Sequence, residues 1–472
     1  MAEKLTPQQH QAVWDRGGDL LVSVAAGSGK TKVLVDRLLG YVMDEKDPAN
    51  LDDFLIITYT KAAAAELRAK IAAKLTEHLA EQPENRHLQR QMQRLYLAKI
   101  STVHGFCGDI LRQYAYLLDL PADFRVADEN ECRELQDSVM AKVLEQAYET
   151  PDEDFQCLVD TQSMGRDDRL IPQILLQVYH SARCHLDSQA WLDACVDNAR
   201  TDHVEDAAQT LWGRYLMEDL FSYIDLQIEA MKSCAEQAGL VEGMEKPAAL
   251  LLDTVGQLEA LRQCKTWDQV YTRRDIDYGR LVISKKCTDQ ALAERIKAVR
   301  AACKKGLEKK LKSFACSSQQ MLSDLQRCIP ALRGMVALVR RFSQEYDRAK
   351  QARRVLDFGD LEHKALDLLL GKRRAGVTAL AQEIGARFRE VMVDEYQDSN
   401  AVQDAIFSAL TAKRHNCFMV GDVKQSIYQF RLADPSIFLE KYEAFVPAEE
   451  AKPQDGRKVM LSANFRSSGG VI

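Results

Sequence analysis

Residues 20–39 constrain this chain more than any other stretch. The apolar run Leu20-Leu21-Val22 leads into Ser23-Val24-Ala25-Ala26-Gly27-Ser28-Gly29-Lys30-Thr31, and Lys32-Val33-Leu34-Val35-Asp36-Arg37-Leu38-Leu39 follows with helical texture. Strand, glycine-rich loop, Lys-Thr and helix, in that order, lay out a phosphate-binding loop. Gly27 and Gly29 carry no Cβ to block a close anion or a positive-φ turn. The backbone from Ala26 through Ser28 is then able to wrap a phosphate and aim its N–H groups inward, where a helix start adds its own attraction for anions. Lys30 supplies a point charge for the β- and γ-phosphates, and the Thr31 hydroxyl suits Mg²⁺. One position departs from the general pattern: Val24 stands where a glycine usually opens the loop.

The chain is long enough for several packed domains, with 472 residues of which 46% are hydrophobic. Charged residues make up 28% and the net charge is -7, so any nucleic-acid binding needs a local basic groove rather than a global field. No stretch reaches the length of a membrane span, and Met1-Ala2-Glu3-Lys4-Leu5-Thr6-Pro7 lacks a signal peptide's apolar core, which predicts no membrane partner. The 12 cysteines are scattered singly from Cys107 to Cys417 with no Cys-x-x-Cys pair, and they read as reduced thiols rather than a disulfide framework or metal site.

The first hundred or so residues alternate apolar runs with amphipathic segments. Asp53 to Thr58 suits a buried parallel strand and leads into the alanine-rich, helix-favouring Lys61 to Arg68; Lys99 to His104 reads as another strand. From about Leu120 to Arg354 long 3.6-period segments dominate, such as Cys132–Tyr148 and Gln319–Lys350. Strand signals return at Glu390–Asp394, Asn416–Gly421 and Lys458–Ser462, the last after a polar linker. The expected architecture is an α/β core interrupted by a large helical domain, with a further domain beginning after about 450.

A phosphate-binding loop needs an acid on a neighbouring strand. Val391-Met392-Val393 followed by Asp394-Glu395 provides two carboxylates at a strand's C-terminal end, where open α/β sheets place their ligands. Asp394 would hold Mg²⁺, and Glu395 would position and deprotonate an attacking water.

The ordered set AAGSGKT, TYTKAAAAELRAKI, STVHGFC, VDEYQDSN, GDVKQSIYQFRLADP and NFRSS resembles the motifs of superfamily 1 UvrD/Rep-like DNA helicases. Asp357–His363, Phe418–Ser426 and Tyr116–Leu120 make it most similar to the AddA-type helicase/nuclease subunit of bacterial double-strand-break repair. The resemblance covers the whole chain, loosely in the helical insertion. It implies a P-loop NTPase with a RecA-like parallel sheet: motor domain 1A over 1–120 and 351–450, inserted domain 1B over 121–350, and the start of a second RecA-like domain 2A over 451–472. It further implies ATP and Mg²⁺ as cofactors and 3′→5′ translocation on single-stranded DNA. Its implied partners are duplex DNA and an AddB-type second subunit, and its implied location is the bacterial cytoplasm.

The resemblance also assigns residues. Leu5–Val13 is similar to the family's Q motif, whose glutamine reads adenine; Gln9 fits best, with Gln8 the other choice. Without the family, the same stretch is a helix start with Thr6 as N-cap and Pro7 at the first turn. Lys32 stands where relatives carry an arginine near the nucleotide. Gln425 would sense the γ-phosphate, Arg466 would reach it from the second motor domain, and Phe465 would stack on adenine. Thr60 and Lys61, then Thr102 and His104, fall in motifs that face DNA, with Lys61 replacing the usual asparagine and Gly105 the usual serine. Tyr428 and Phe430 would stack on bases, a sequence-tolerant contact. The lysine-rich Lys304–Lys312 reads either as a grip on duplex phosphates or as a solvated helix face.

Full-length relatives continue past the position of Ile472 with a second arginine finger and, in AddA-type proteins, a nuclease domain. The expectation for this polypeptide alone is ATP binding without efficient hydrolysis or unwinding. The other readings are a stand-alone UvrD/PcrA-type repair helicase and a non-catalytic, ATP-responsive DNA-binding module.

Overall fold

The apolar runs of the sequence become strands of one parallel sheet in the computed structural model, which describes residues 5–24, 29–121, 123–162, 168–284, 287, 289–425, 433–452 and 455–461. The described strands are β1 (Leu20–Val24), β2 (Phe54–Thr58), β3 (Lys99–Thr102), β4 (Arg125–Val126), β5 (Val355–Leu356), β6 (Glu390–Val393), β7 (Cys417–Gly421), β8 (Val446–Pro447) and β9 (Arg457–Leu461). Seven of them form a sheet in the order β3-β2-β6-β7-β1-β9-β8, and β4 pairs with β5 separately. Every pairing is parallel, with registers such as Val22 opposite Val420 and Ile56 opposite Met392.

Successive residues of a strand point to opposite faces, and here each face feeds its own core. Leu21, Leu55, Ile57, Val391, Val393 and Met419 pack with side chains from the helices Val103–Tyr114, Phe358–Leu370, Ala379–Ala386 and Ala401–Thr411. Leu20, Val22, Phe54, Ile56, Met392, Phe418 and Val420 join a second core with the helices Pro7–Trp14, Lys30–Val42 and Lys61–Glu81. Burial on both faces explains why these strands read as unbroken apolar runs instead of alternating ones.

The chain divides into two compact units. One comprises Met1–Glu145, Ile174–Trp191 and Val339–Ile472 and carries the sheet; the other comprises Gln146–Gln173 and Leu192–Leu338. Every described secondary-structure element of the second unit is a helix, and its core contains Leu220, Ile224, Leu251, Leu258, Trp267, Ile296 and Leu307. It is smaller than the 121–350 segment expected from sequence texture, because both flanks of that segment group with the sheet. The boundary expected at about 450 also needs correction. β9 pairs along its length with β1, and Arg457 bonds Asp15, Arg16 O and Gly18 O, so Arg457–Leu461 belongs to the first sheet and not to a new one.

Candidate functional site

A parallel sheet brings the C-terminal ends of its strands to one edge, and the predicted site residues follow β1, β2, β3, β6 and β7 there. After β1, Gly29 (φ +88°) turns the chain in the left-handed region that glycine tolerates, and Lys30 opens the helix Lys30–Val42. Its N-cap, Gly29, makes no side-chain cap hydrogen bond, and a helix start of this kind attracts anions.

Lys30 Nζ lies 2.6 Å from Glu395 Oε2 and 3.3 Å from Gln425 Oε1. Gln425 Nε2 donates to Asp422 Oδ2 at 2.7 Å, the Asp422 N–H donates to Gln397 Oε1 at 2.9 Å, and Gln397 Nε2 donates to Glu395 Oε2 at 2.8 Å. These five residues close a ring through Lys30. Glu395 itself sits at φ +51°, ψ +41°, a left-handed conformation that non-glycine residues seldom take and that clusters at functional sites. Its N–H donates to Asp394 Oδ1 at 3.0 Å.

Carboxyl groups crowd this lysine. Burial, then the neighbouring Glu395 charge, pushes the Asp394 carboxyl up to about 6, against the opposing pull of Lys30. Asp398 rises to about 6 for the same two reasons, and its Oδ1 is buried without a hydrogen-bond partner. Excess buried anionic capacity beside one ammonium, a glycine-led helix start and hard oxygen donors on Asp394 and Thr31 are what a phosphate-bound Mg²⁺ requires. The residues present fit a Mg²⁺–nucleotide.

Other predicted residues fall as follows. Thr31 and Lys32 lie half-buried in the first turn of the helix that Lys30 opens. Gln9 is buried; its Oε1 accepts from the Thr6 N–H at 3.1 Å while Thr6 Oγ1 accepts from the Gln9 N–H, a reciprocal cap. Its Nε2 lies 3.2 Å from where a Cβ on Gly29 would stand, which brings the expected adenine reader to the base of the loop. Ala26, Gly27, Ser28, Tyr428, Phe430, Phe465 and Arg466 lie outside the described residues.

On the candidate nucleic-acid side, Thr60 and Thr102 both cap the helices they precede, accepting from Ala63 N and Gly105 N. Each hydroxyl keeps a proton to donate. Lys61 is exposed at the first turn of its helix. His104 Nε2 lies 3.0 Å from Glu362 Oε1, and its ring packs at 4.6 Å from the ring of Phe358, which is 52% exposed. In the helical unit, Lys304, Lys305 and Lys309 are exposed on a helix whose other side buries Cys303 and Leu307, while Lys310 pairs with Asp219 at 2.5 Å. That arrangement is a solvated face, with Lys304 also paired, to Glu308 at 4.0 Å.

With the ring around Lys30 in view, the family comparison is decisive: residues 5–446 match the UvrD/REP helicase N-terminal domain. The chain belongs to that family. Similar proteins, each named as the A-type subunit of an ATP-dependent helicase/nuclease, include those of Pelotomaculum thermopropionicum (37% identity), Geobacillus thermodenitrificans (36%) and Clostridium novyi (34%). Each match covers 99% of this chain and 38% of the relative, so the chain spans about two fifths of the length of the curated proteins it matches. The resemblance to UvrD/Rep-like and AddA-type proteins read from the motifs is thus matched by family and relatives alike. No helix among the described residues is long and apolar enough to cross a membrane.

Residues missed by sequence reasoning lie between the predicted ones. Gln397 and Asp422 carry the ring, and both stand inside quoted motifs, so the polar residues of those motifs were the available signal. Arg37 is fully buried, bonding Glu390 through Nε at 2.8 Å and Nη2 at 2.5 Å, and Ala12 O and Asp15 O through Nη1. It ties the Gln9 helix to β6, the strand that leads into Asp394, and within an amphipathic pattern nothing marked it out.

Proposed function

We propose that this chain is the ATP-binding, strand-engaging part of an ATP-dependent DNA helicase of the AddA type, the motor of a helicase/nuclease. The observation that carries the reading is Lys30 held between Glu395 and Gln425 at the C-terminal edge of a parallel sheet. Family membership supports it.

In this reading Asp394 and Thr31 hold Mg²⁺, and Lys30, Lys32 and the loop from Ala26 to Gly29 hold the phosphates of ATP. Gln9 and Phe465 take the adenine. Bound Mg²⁺·ATP supplies a phosphoanhydride whose cleavage develops charge on the γ-phosphate. Lys30 exchanges Glu395 for that charge, which leaves the Glu395 carboxylate to orient a water and take its proton. Gln425, no longer bonded to Lys30, carries the change through Asp422 toward Tyr428 and Phe430. Arg466 completes the site from the second motor domain. Thr60, Lys61, Thr102 and His104 contact single-stranded DNA. By family likeness, travel is 3′→5′, and the full protein works with an AddB-type partner on broken duplex DNA in the bacterial cytoplasm.

Fluorescent ATP-analogue binding with Mg²⁺ tests the reading. Lys30→Ala should weaken it at least tenfold, the size of one lost charge-assisted contact. Equal affinity in the wild type and the variant would place the nucleotide elsewhere.

A further inference from the structure

The proposed function leaves the Asp357–His363 stretch unused, yet Glu362 lies between its two sides. Glu362 is 5% exposed and its helix packs Leu361, Ala365 and Leu366 into the core. A carboxylate buried there must be matched by donors. One oxygen, Oε1, accepts from Gln403 Nε2 at 2.7 Å and lies at ion-pair distance, 3.0 Å, from His104 Nε2.

We infer that Glu362 is a positioning residue that couples strand contact at His104 to the Asp394–Asn400 segment of the nucleotide site. The inference rests on the proposed role of His104. The carboxylate offers His104 a negative partner, and Phe358 packs against the imidazole with ring centroids 4.6 Å apart. Gln403 is fixed just as firmly from its other end. Its Oε1 accepts from Tyr59 Oη at 3.3 Å, its N–H donates to Asn400 Oδ1 at 2.9 Å, and Tyr59 Oη lies 2.5 Å from Ser399 Oγ. Ser399 and Asn400 continue directly from Asp394-Glu395 through Gln397 and Asp398. A single oxygen thus meets the helix after β3 through an ion-pair contact and the helix after β6 through a buried hydrogen bond, so that a shift of either helix strains the link to the other. Tyr59, which follows β2, is part of the same set.

The test uses the 472-residue chain and a fluorescein-labelled oligothymidylate, read by anisotropy with and without ATP and Mg²⁺. Glu362→Gln keeps the shape and removes the charge. It should weaken oligonucleotide binding about tenfold, the size of one hydrogen bond to a charged group, while ATP affinity without oligonucleotide stays unchanged. His104→Ala should lose a similar factor, and the double variant should lose no more than either single one. ATP should alter oligonucleotide affinity in the wild type, and that effect should shrink toward none in Glu362→Gln. A loss that repeats in full on the His104→Ala background would overturn the inference, as would a nucleotide effect that Glu362→Gln leaves intact or that the wild type lacks. Failure of the wild type to bind the oligonucleotide would instead overturn the proposed function, and the inference with it.

Discussion

Gln397 offers the sharpest test of the ring around Lys30, because its two ends do different work. Its Nε2 serves Glu395 at 2.8 Å and its Oε1 receives the Asp422 N–H at 2.9 Å. In Gln397→Met both are lost with little change in volume. Glu395 is 38% exposed in its side chain, so water replaces the lost donor and that end costs little. Asp422 is 4% exposed, so its N–H is left buried and unmatched, which costs about 1–3 kcal/mol. The expected loss is therefore about 2 kcal/mol, from the Asp422 end. Gln397→Glu separates the two ends. It keeps an acceptor for Asp422 but sets a further carboxyl beside those of Glu395 and Asp398. Repulsion raises the pKa of this cluster in the folded state above its unfolded value, so the variant is penalised at high pH and recovers as the cluster takes up a proton. Urea unfolding at pH 5.5 and pH 8, compared with the wild type at each pH, reads both effects. A cost for Gln397→Met within about 0.5 kcal/mol, the range of an ordinary surface change, together with a pH-independent Gln397→Glu, would refute the ring as a structural unit.

Two further outcomes follow from buried charge. Arg37→Met should destabilise by about 3–5 kcal/mol in urea unfolding by stranding Glu390, and Arg37→Met/Glu390→Met should be markedly milder than that single change. His363 is held down to about 4, first by burial and then by the Arg183 charge, with Nε2 2.8 Å from Arg183 O; the unfolded chain takes up that proton near pH 6.5 and the folded one does not, so stability present above pH 6.5 falls by about 3 kcal/mol toward pH 4, and His363→Gln should flatten that part of the pH–stability curve.

The sheet and the first ring members were readable from sequence for a physical reason. A parallel strand buried on both faces must be apolar throughout, and the loops that leave its C-terminal end carry the polar residues, so Leu20–Val24, Phe54–Thr58, Glu390–Val393 and Cys417–Gly421 announce both themselves and the site. Lys30, Asp394, Glu395 and Gln425 each follow such a strand. Domain boundaries were less legible. Helical texture says nothing of which core a helix joins, which is why residues 121–145 read as part of an insertion but group with the sheet. β9 follows a polar linker that resembles a boundary, yet its partner, β1, lies more than 430 residues earlier.

What sequence could not give is the pairing of polar groups inside the core. Arg37, Glu362 and Gln403 each lie on a helix with a mainly apolar buried face, where local pattern predicts exposure for a charged or amide side chain. Each is buried because a partner from a distant segment meets it: Glu390 for Arg37, His104 and Gln403 for Glu362. Such contacts are costly when half made and highly directional when complete. An apolar contact tolerates sliding whereas a buried hydrogen bond has one register. The polar links thus fix the helix Lys30–Val42 to β6 and the helix Phe358–Leu370 to the helix Ala401–Thr411, and the apolar core surrounds them.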